Sequence, residues 1–170
     1  MRIETSRLYI EEVKKEDALA VLNIQNTEYA RKFNLFPKLT IEDVNQEIDK
    51  DEMYKLILKE NGMIIGVIRA NEDYYRNNPK ARHIVILMRE EFSSHGYMSE
   101  GVCALFPYLF TKYEILTGYI FKENVASIRV SEKCGWNVEG TLRQAVTDIN
   151  GDVHDLVIVS LTKADFEAQH

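Results

Sequence analysis

The hydrophobic and polar positions along the chain switch between two periods. Leu8-Tyr9-Ile10-Glu11-Glu12-Val13 reads as a half-buried strand, and Glu16–Gln25 then takes the helical period, with Ala18, Val21, Leu22 and Ile24 on one stripe. A short helix is predicted over Thr27–Phe33, and a third begins at Thr40, where Asp43 three residues on completes a variant of the capping box. Tyr54–Lys59 and Met63–Ala70 flank Glu60-Asn61-Gly62, whose Asn-Gly pair accepts positive φ, and together they read as a hairpin. His83-Ile84-Val85-Ile86-Leu87-Met88 is an apolar run of strand length, the pattern of a central strand.

From Ser99 the pattern is helical again, with Val102, Leu105, Phe106, Leu109 and Phe110 forming one buried stripe. Pro107 lies inside that stripe and removes a backbone donor, which predicts a kink or a 3₁₀ turn. A strand over Ile115–Phe121 follows, then a helix over Val125–Cys134 with Asn124 at its start and Gly135 at its end. Trp136–Asp148 and Val153–Leu161 close the chain as a hairpin around Ile149-Asn150-Gly151-Asp152. This order predicts a mixed α/β domain with one central sheet. No repeat, linker or low-complexity stretch offers a boundary, so residues 1–170 read as a single domain.

Composition narrows the function classes. With 45% hydrophobic and 28% charged residues the chain has the balance of a folded, soluble protein, not of a disordered tail or a collagen-like fibre. Acidic residues outnumber basic ones 27 to 21, for a net charge of −6, so no general electrostatic hold on nucleic acid or on a membrane is expected. The apolar runs are too short to cross a bilayer, and Met-Arg-Ile-Glu-Thr lacks the apolar core of a secretory signal. Cys103 and Cys134 both lie in amphipathic patterns and read as reduced core residues, as expected for the cytoplasm.

Two segments carry candidate chemistry. Met88–Gly101 joins the apolar strand to a helix, and a loop there offers unpaired N–H groups and the positive end of a helix dipole, which suits phosphate oxygens. Gly96 permits close approach, and Ser94 and Ser99 add hydroxyls; a plain turn capped by serine is the competing reading. The chain has neither a P-loop nor a G-x-G-x-x-G fingerprint, and Gly96-Tyr-Met-Ser99-Glu-Gly101 is one residue longer than a G-x-S-x-G elbow. In the second segment, Asn124, Ser127 and Ser131 share one helix face that can hydrogen-bond an extended ligand, unless Asn124 is only a cap and the serines are solvated. The four histidines show no zinc spacing, so no metal site is predicted. His170 is expected to be disordered, and Glu90-Glu91 and Asp51-Glu52 to lie in solvated turns.

Taken in this order, the two segments resemble the GNAT superfamily of acyl-CoA-dependent N-acetyltransferases. The branch they resemble most is the RimJ/RimL-like one, which acetylates ribosomal-protein amino termini. Ile3-Glu-Thr-Ser-Arg-Leu8, Glu16-Asp17-Ala18 and Asn61-Gly-Met-Ile-Ile-Gly66 are similar to its first strand, first helix and hairpin. Asn124-x-x-Ser127 through Glu132-Lys133-Cys134-Gly135-Trp136, followed by Glu139-Gly140-Thr141-Leu142-Arg143, is the most specific match, and Asn150-Gly151-Asp152-x-His154-Asp155 resembles the last hairpin. The family's Q/R-x-x-G-x-G/A loop falls on Ser93 to Met98, with Gly96 kept, Ser93 in place of Gln/Arg and Met98 in place of the final small residue.

The resemblance implies a splayed mixed sheet of about seven strands with helices on both faces. It also implies acetyl-CoA as co-substrate, wedged between the strands His83–Met88 and Ile115–Phe121. Backbone groups of Ile86, Leu87 and Met88 would pair with the pantetheine arm, and the amides of Ser94, His95, Gly96, Tyr97, Met98 and Ser99 would hold the pyrophosphate, with Asn124 and Ser127 on the other side. The implied reaction is direct transfer to a primary amine, with oxyanion donors near Leu87 and Met88 and no acyl-enzyme on Cys134. Thirteen residues before Gly96, the branch's usual glutamate falls on His83, a candidate base, while Ser131 stands where many relatives carry the tyrosine that protonates the thiolate. Tyr29, Phe33, Phe36 and Tyr74 are candidate liners of the acceptor cleft, or simply core. The favoured acceptor is a peptide amino terminus. A small amine and a catalytically inactive acyl-CoA sensor are the alternatives, and the oligomeric state, a homodimer included, stays open.

Overall fold

A computed structural model describes residues 1–170. Eight strands form one mixed sheet: β1 (Arg2–Glu4), β2 (Leu8–Glu12), β3 (Glu52–Leu58), β4 (Ile64–Glu72), β5 (Ala81–Met88), β6 (Ile115–Phe121), β7 (Asn137–Thr147) and β8 (Val153–Thr162). Their spatial order is β1-β2-β3-β4-β5-β6-β8-β7. The parallel register of β5 with β6 covers Ala81–His83 against Ile115–Thr117, and β6–β8 and β7–β8 are antiparallel. The helices are α1 (Ala18–Gln25), α2 (Glu28–Arg31), α3 (Ile41–Lys50), α4 (Tyr97–Leu109), α5 (Val125–Lys133) and α6 (Lys163–Gln169). No helix is long and apolar enough to cross a membrane.

The chain forms two compact units, Met1–Asn71 with Val85–Leu105, and Glu72–Ile84 with Phe106–His170. The core of the first gathers Val13, Ala18, Val21, Ile24, Val44, Met53, Val67 and Leu87. Its helices begin where their caps dictate: Thr27 Oγ1 accepts from Ala30 N–H, and Thr40 and Asp43 form the reciprocal box expected of them. Inside this unit the buried Lys55 ammonium meets Asp17 at 2.7 Å. In the second unit Phe106, Phe110, Phe166 and Trp136 pack with ring centroids 5.0–6.3 Å apart.

Several expectations need correction. Cys103 and Cys134 are disulfide-bonded, not reduced. Amphipathic periodicity turns a side chain inward but carries no information about the oxidation state of its sulfur. Pro107 lies in the last turn of α4, which reaches Leu109, and the 3₁₀ closure expected of it comes directly after, from Thr111 N–H to Tyr108 O and Lys112 N–H to Leu109 O. Asp51 and Glu52 are not in a solvated turn: Asp51 accepts from Arg69 at 2.6 Å, and Glu52 accepts from the Tyr54 hydroxyl at 2.7 Å. His170 closes an additional helix, α6, capped by Thr162 and Asp165, and its ring lies tilted against Phe166 with centroids 4.5 Å apart.

Candidate active site

The segment between β5 and α4 is a tight loop with two left-handed residues. After a 3₁₀ turn at Glu90–Phe92, φ alternates in sign: −66° at Ser93, +62° at Ser94 and +80° at Gly96, before α4 begins at Tyr97. The two left-handed residues bend the chain sharply into α4, and the positive end of that thirteen-residue helix lies at the close of the loop. A left-handed serine costs of order 1–3 kcal/mol, strain of a kind that concentrates at binding loops. A β-carbon at Gly96 would meet only Arg7, at 3.5 Å, so the backbone angle, not crowding, requires glycine there. Met98 is buried, and its Cε lies 3.2 Å from where a Gly66 β-carbon would stand. Its side chain is therefore turned under β4, away from the loop.

The edge of β5 divides by parity. Arg89 N–H donates to Ile65 O at 2.9 Å, so its amide faces β4. The alternation of a strand then aims the N–H and C=O groups of Ile86 and Met88 at the opposite edge.

In the second unit, His83 pairs in register with Thr117 and sets its ring edge-on to Tyr119, centroids 5.1 Å apart. Behind them lies a polar cluster that sequence reasoning missed. Buried Asp73 accepts from the Thr117 hydroxyl at 2.6 Å, the Tyr119 hydroxyl at 3.0 Å and the Tyr75 amide at 3.0 Å, with Arg76 Nε 3.5 Å away. Arg76 also pairs with Glu139, which accepts from the Ser160 hydroxyl; that hydrogen bond, ahead of the guanidinium, holds the Glu139 carboxyl below its ordinary value. Thr117 and Tyr119 stand two apart on β6, one face of a strand, and that spacing was the available signal.

Asn124 caps α5, its side-chain oxygen accepting from Ser127 N–H at 3.2 Å, and Ser127 is half-buried in the first turn. Ser131 is buried and its hydroxyl donates to Ile128 O at 2.7 Å, so its proton is already engaged within the helix. Tyr29 lies in α2, Phe33 in the turn after it with the Lys32 ammonium 5.1 Å from its ring centre, and Phe36 packs on the first unit's core. Tyr74 belongs to the second unit and is 89% exposed, a surface residue.

Comparison with known proteins identifies the family. A curated relative, the SPbeta prophage-derived N-acetyltransferase YokL of Bacillus subtilis, is 24% identical over 129 residues, covering 75% of this chain and 71% of its own. Among solved structures, the ribosomal-protein-S5-alanine acetyltransferase of Vibrio fischeri superposes with a TM-score of 0.84 at 18% identity, covering 98% of each chain. AAC(6')-Ib, solved with an aminoglycoside and acetyl-CoA, superposes with a TM-score of 0.75 at 20% identity over 95% of this chain and 97% of its own. The acetyltransferase (GNAT) domain family matches residues 7–137, so the chain belongs to that family and is an acyltransferase with acetyl-CoA as its co-substrate.

Proposed function

We propose that this enzyme moves an acetyl group from acetyl-CoA directly to the amino terminus of a protein or peptide. The observation that carries the cofactor side is the sign-alternating backbone of Ser93–Tyr97 at the start of α4, which fits an anionic pyrophosphate. The acceptor side rests on the similarity to the S5-alanine acetyltransferase. Bound acetyl-CoA supplies an acetyl group activated as a thioester.

The residues of the chain then have separable tasks. The amides of Ser94, His95, Gly96, Tyr97, Met98 and Ser99 hold phosphate oxygens. Ile86 and Met88 offer peptide groups to the pantetheine arm along the edge of β5 away from β4, and the Met88 N–H is the donor for the developing oxyanion. Asn124 and Ser127 add side-chain hydrogen bonds to the cofactor. His83 takes the proton that the attacking amine must lose. That proton balances the one the departing thiolate gains, so the reaction consumes no acid overall. Ser131 has no part in this scheme, since its hydroxyl serves Ile128 O.

A small cationic amine is the second reading, favoured by the likeness to AAC(6')-Ib and by the net charge of −6. Turnover with acetyl-CoA against peptides, polyamines, aminoglycosides and amino acids, followed by free-thiol release, separates the two. Coenzyme A that raises the melting temperature while no amine yields product would show an acyl-CoA sensor instead.

A further inference from the structure

The turn between β1 and β2 grips the anion loop from outside, and it does so through one residue. Arg7 NH1 donates to His95 O at 3.0 Å, its Nε and NH2 both reach Glu100 Oε2 at 2.7 Å, and its guanidinium carbon sits 4.2 Å from the centre of the Tyr97 ring. Glu100 lies in the first turn of α4 and is fixed in turn by Thr5 Oγ1 at 2.6 Å, Ser6 Oγ at 3.1 Å and the Arg7 amide at 3.0 Å. Burial opposes the charge on Glu100, but the hydrogen bonds from Thr5, Arg7 and Ser6 outweigh it and hold the carboxyl below its ordinary value.

In a trans peptide the carbonyl of one residue and the N–H of the next point in opposite directions. Drawing His95 O to Arg7 therefore directs the Gly96 N–H to the opposite side, away from Arg7 and free to meet an anion at the start of α4. We infer that Arg7, clamped by Glu100, is a positioning residue for acetyl-CoA: it sets the peptide plane between His95 and Gly96 before the pyrophosphate arrives. The inference rests on the cofactor reading and adds to it a residue that does its work without touching the ligand. A loop held ready in this way binds more tightly because less ordering is left for the ligand to impose.

Calorimetry with coenzyme A and with 3′-dephospho-coenzyme A tests this on wild type, Arg7→Lys, Arg7→Ala and Glu100→Gln. Arg7→Ala should weaken both ligands by the same factor, roughly tenfold for a charge-assisted contact. Arg7→Lys should be nearly as weak, because an ammonium cannot span His95 O, Glu100 and the Tyr97 ring with one planar fork. Glu100→Gln should move in the same direction by less. In turnover the effect should appear in KM for acetyl-CoA more than in kcat, and hydrogen exchange at the Gly96 amide should quicken. Arg7→Lys keeps the charge and the stem, so the test stands even if Arg7→Ala fails to fold. Unchanged affinity in Arg7→Lys would overturn the proposal, as would a loss confined to the ligand with the 3′-phosphate, which would make Arg7 a direct charge contact. A wild type that binds neither ligand would instead overturn the cofactor reading.

Discussion

The Tyr119 hydroxyl stands 3.0 Å from both carboxylate oxygens of buried Asp73 and donates its proton to them. Burial first, and Asp73 second, push the phenol up to about 12 from an ordinary value of 10.0. The folded phenol thus holds its proton more tightly than the unfolded one. Its contribution to stability is present at neutral pH and is lost as the pH climbs from about 10 through about 12. Tyr119→Phe removes a hydrogen bond to a charged group and should cost roughly 1–3 kcal/mol in urea unfolding. It should also delete one late-titrating phenolate from the alkaline absorbance curve. Equal stability and an unchanged curve would mean that Asp73 is satisfied without it.

His83 shares this neighbourhood through its edge-on contact with Tyr119. As the base that takes the amine proton, His83→Ala should lower kcat by about 10²–10⁴-fold. Affinity for acetyl-CoA, measured by calorimetry, should stay close to wild type. Wild-type kcat in the variant would show that solvent or another side chain accepts the proton.

Asn124 and Ser127 make a paired test, because the helix cap and the cofactor contact can be separated. Ser127→Ala leaves the cap on Ser127 N–H intact and should weaken acetyl-CoA binding several-fold, for a lost hydrogen bond of roughly 0.5–1.5 kcal/mol. Asn124→Ala should show the same weakening together with about 1 kcal/mol of lost stability from the missing cap. Calorimetry set beside thermal melts distinguishes the two effects. Unchanged affinity in both variants would remove this helix face from the cofactor site.

These pairs show where sequence reasoning reaches and where it stops. The box at Thr40 and Asp43 is local, three residues apart, and so is legible from residue types and spacing alone. The equivalent box at Thr162 and Asp165 has the same form but follows the last predicted strand, where no apolar stripe announces a further helix. Position in the chain likewise locates the loop at Gly96, but the left-handed Ser94 beside it depends on backbone angles that composition does not display. The Asp73 cluster is hidden by separation, its partners Thr117 and Tyr119 lying 44 and 46 residues away. At Ser131 a sequence shows the hydroxyl but not the carbonyl of Ile128 that receives its proton.

The last hairpin carries a pH-sensitive pair. His154 Nε2 lies 2.9 Å from Asp148, and Glu123 stands 3.4 Å from its other ring nitrogen. The Asp148 hydrogen bond, with Glu123 behind it, raises the imidazole above its ordinary value of 6.5, and His154 in turn lowers Asp148. For a raised imidazole the stabilisation is fully present below pH 6.5 and fades as pH rises through the folded value. Amide exchange in the turn at Asp148–Asp152 should therefore quicken as the pH is raised across that range, after correction for intrinsic exchange. His154→Gln should flatten the dependence. A turn equally protected at both ends of the range in wild type would contradict the pairing.

The most direct test of the account is mass spectrometry of a peptide that carries one free α-amine and one lysine, incubated with the enzyme and acetyl-CoA. The account predicts a single acetyl group on the α-amine, matched by one equivalent of free thiol. Acetyl on the lysine alone, or thiol release with polyamines or aminoglycosides while the peptide stays unmodified, would contradict it.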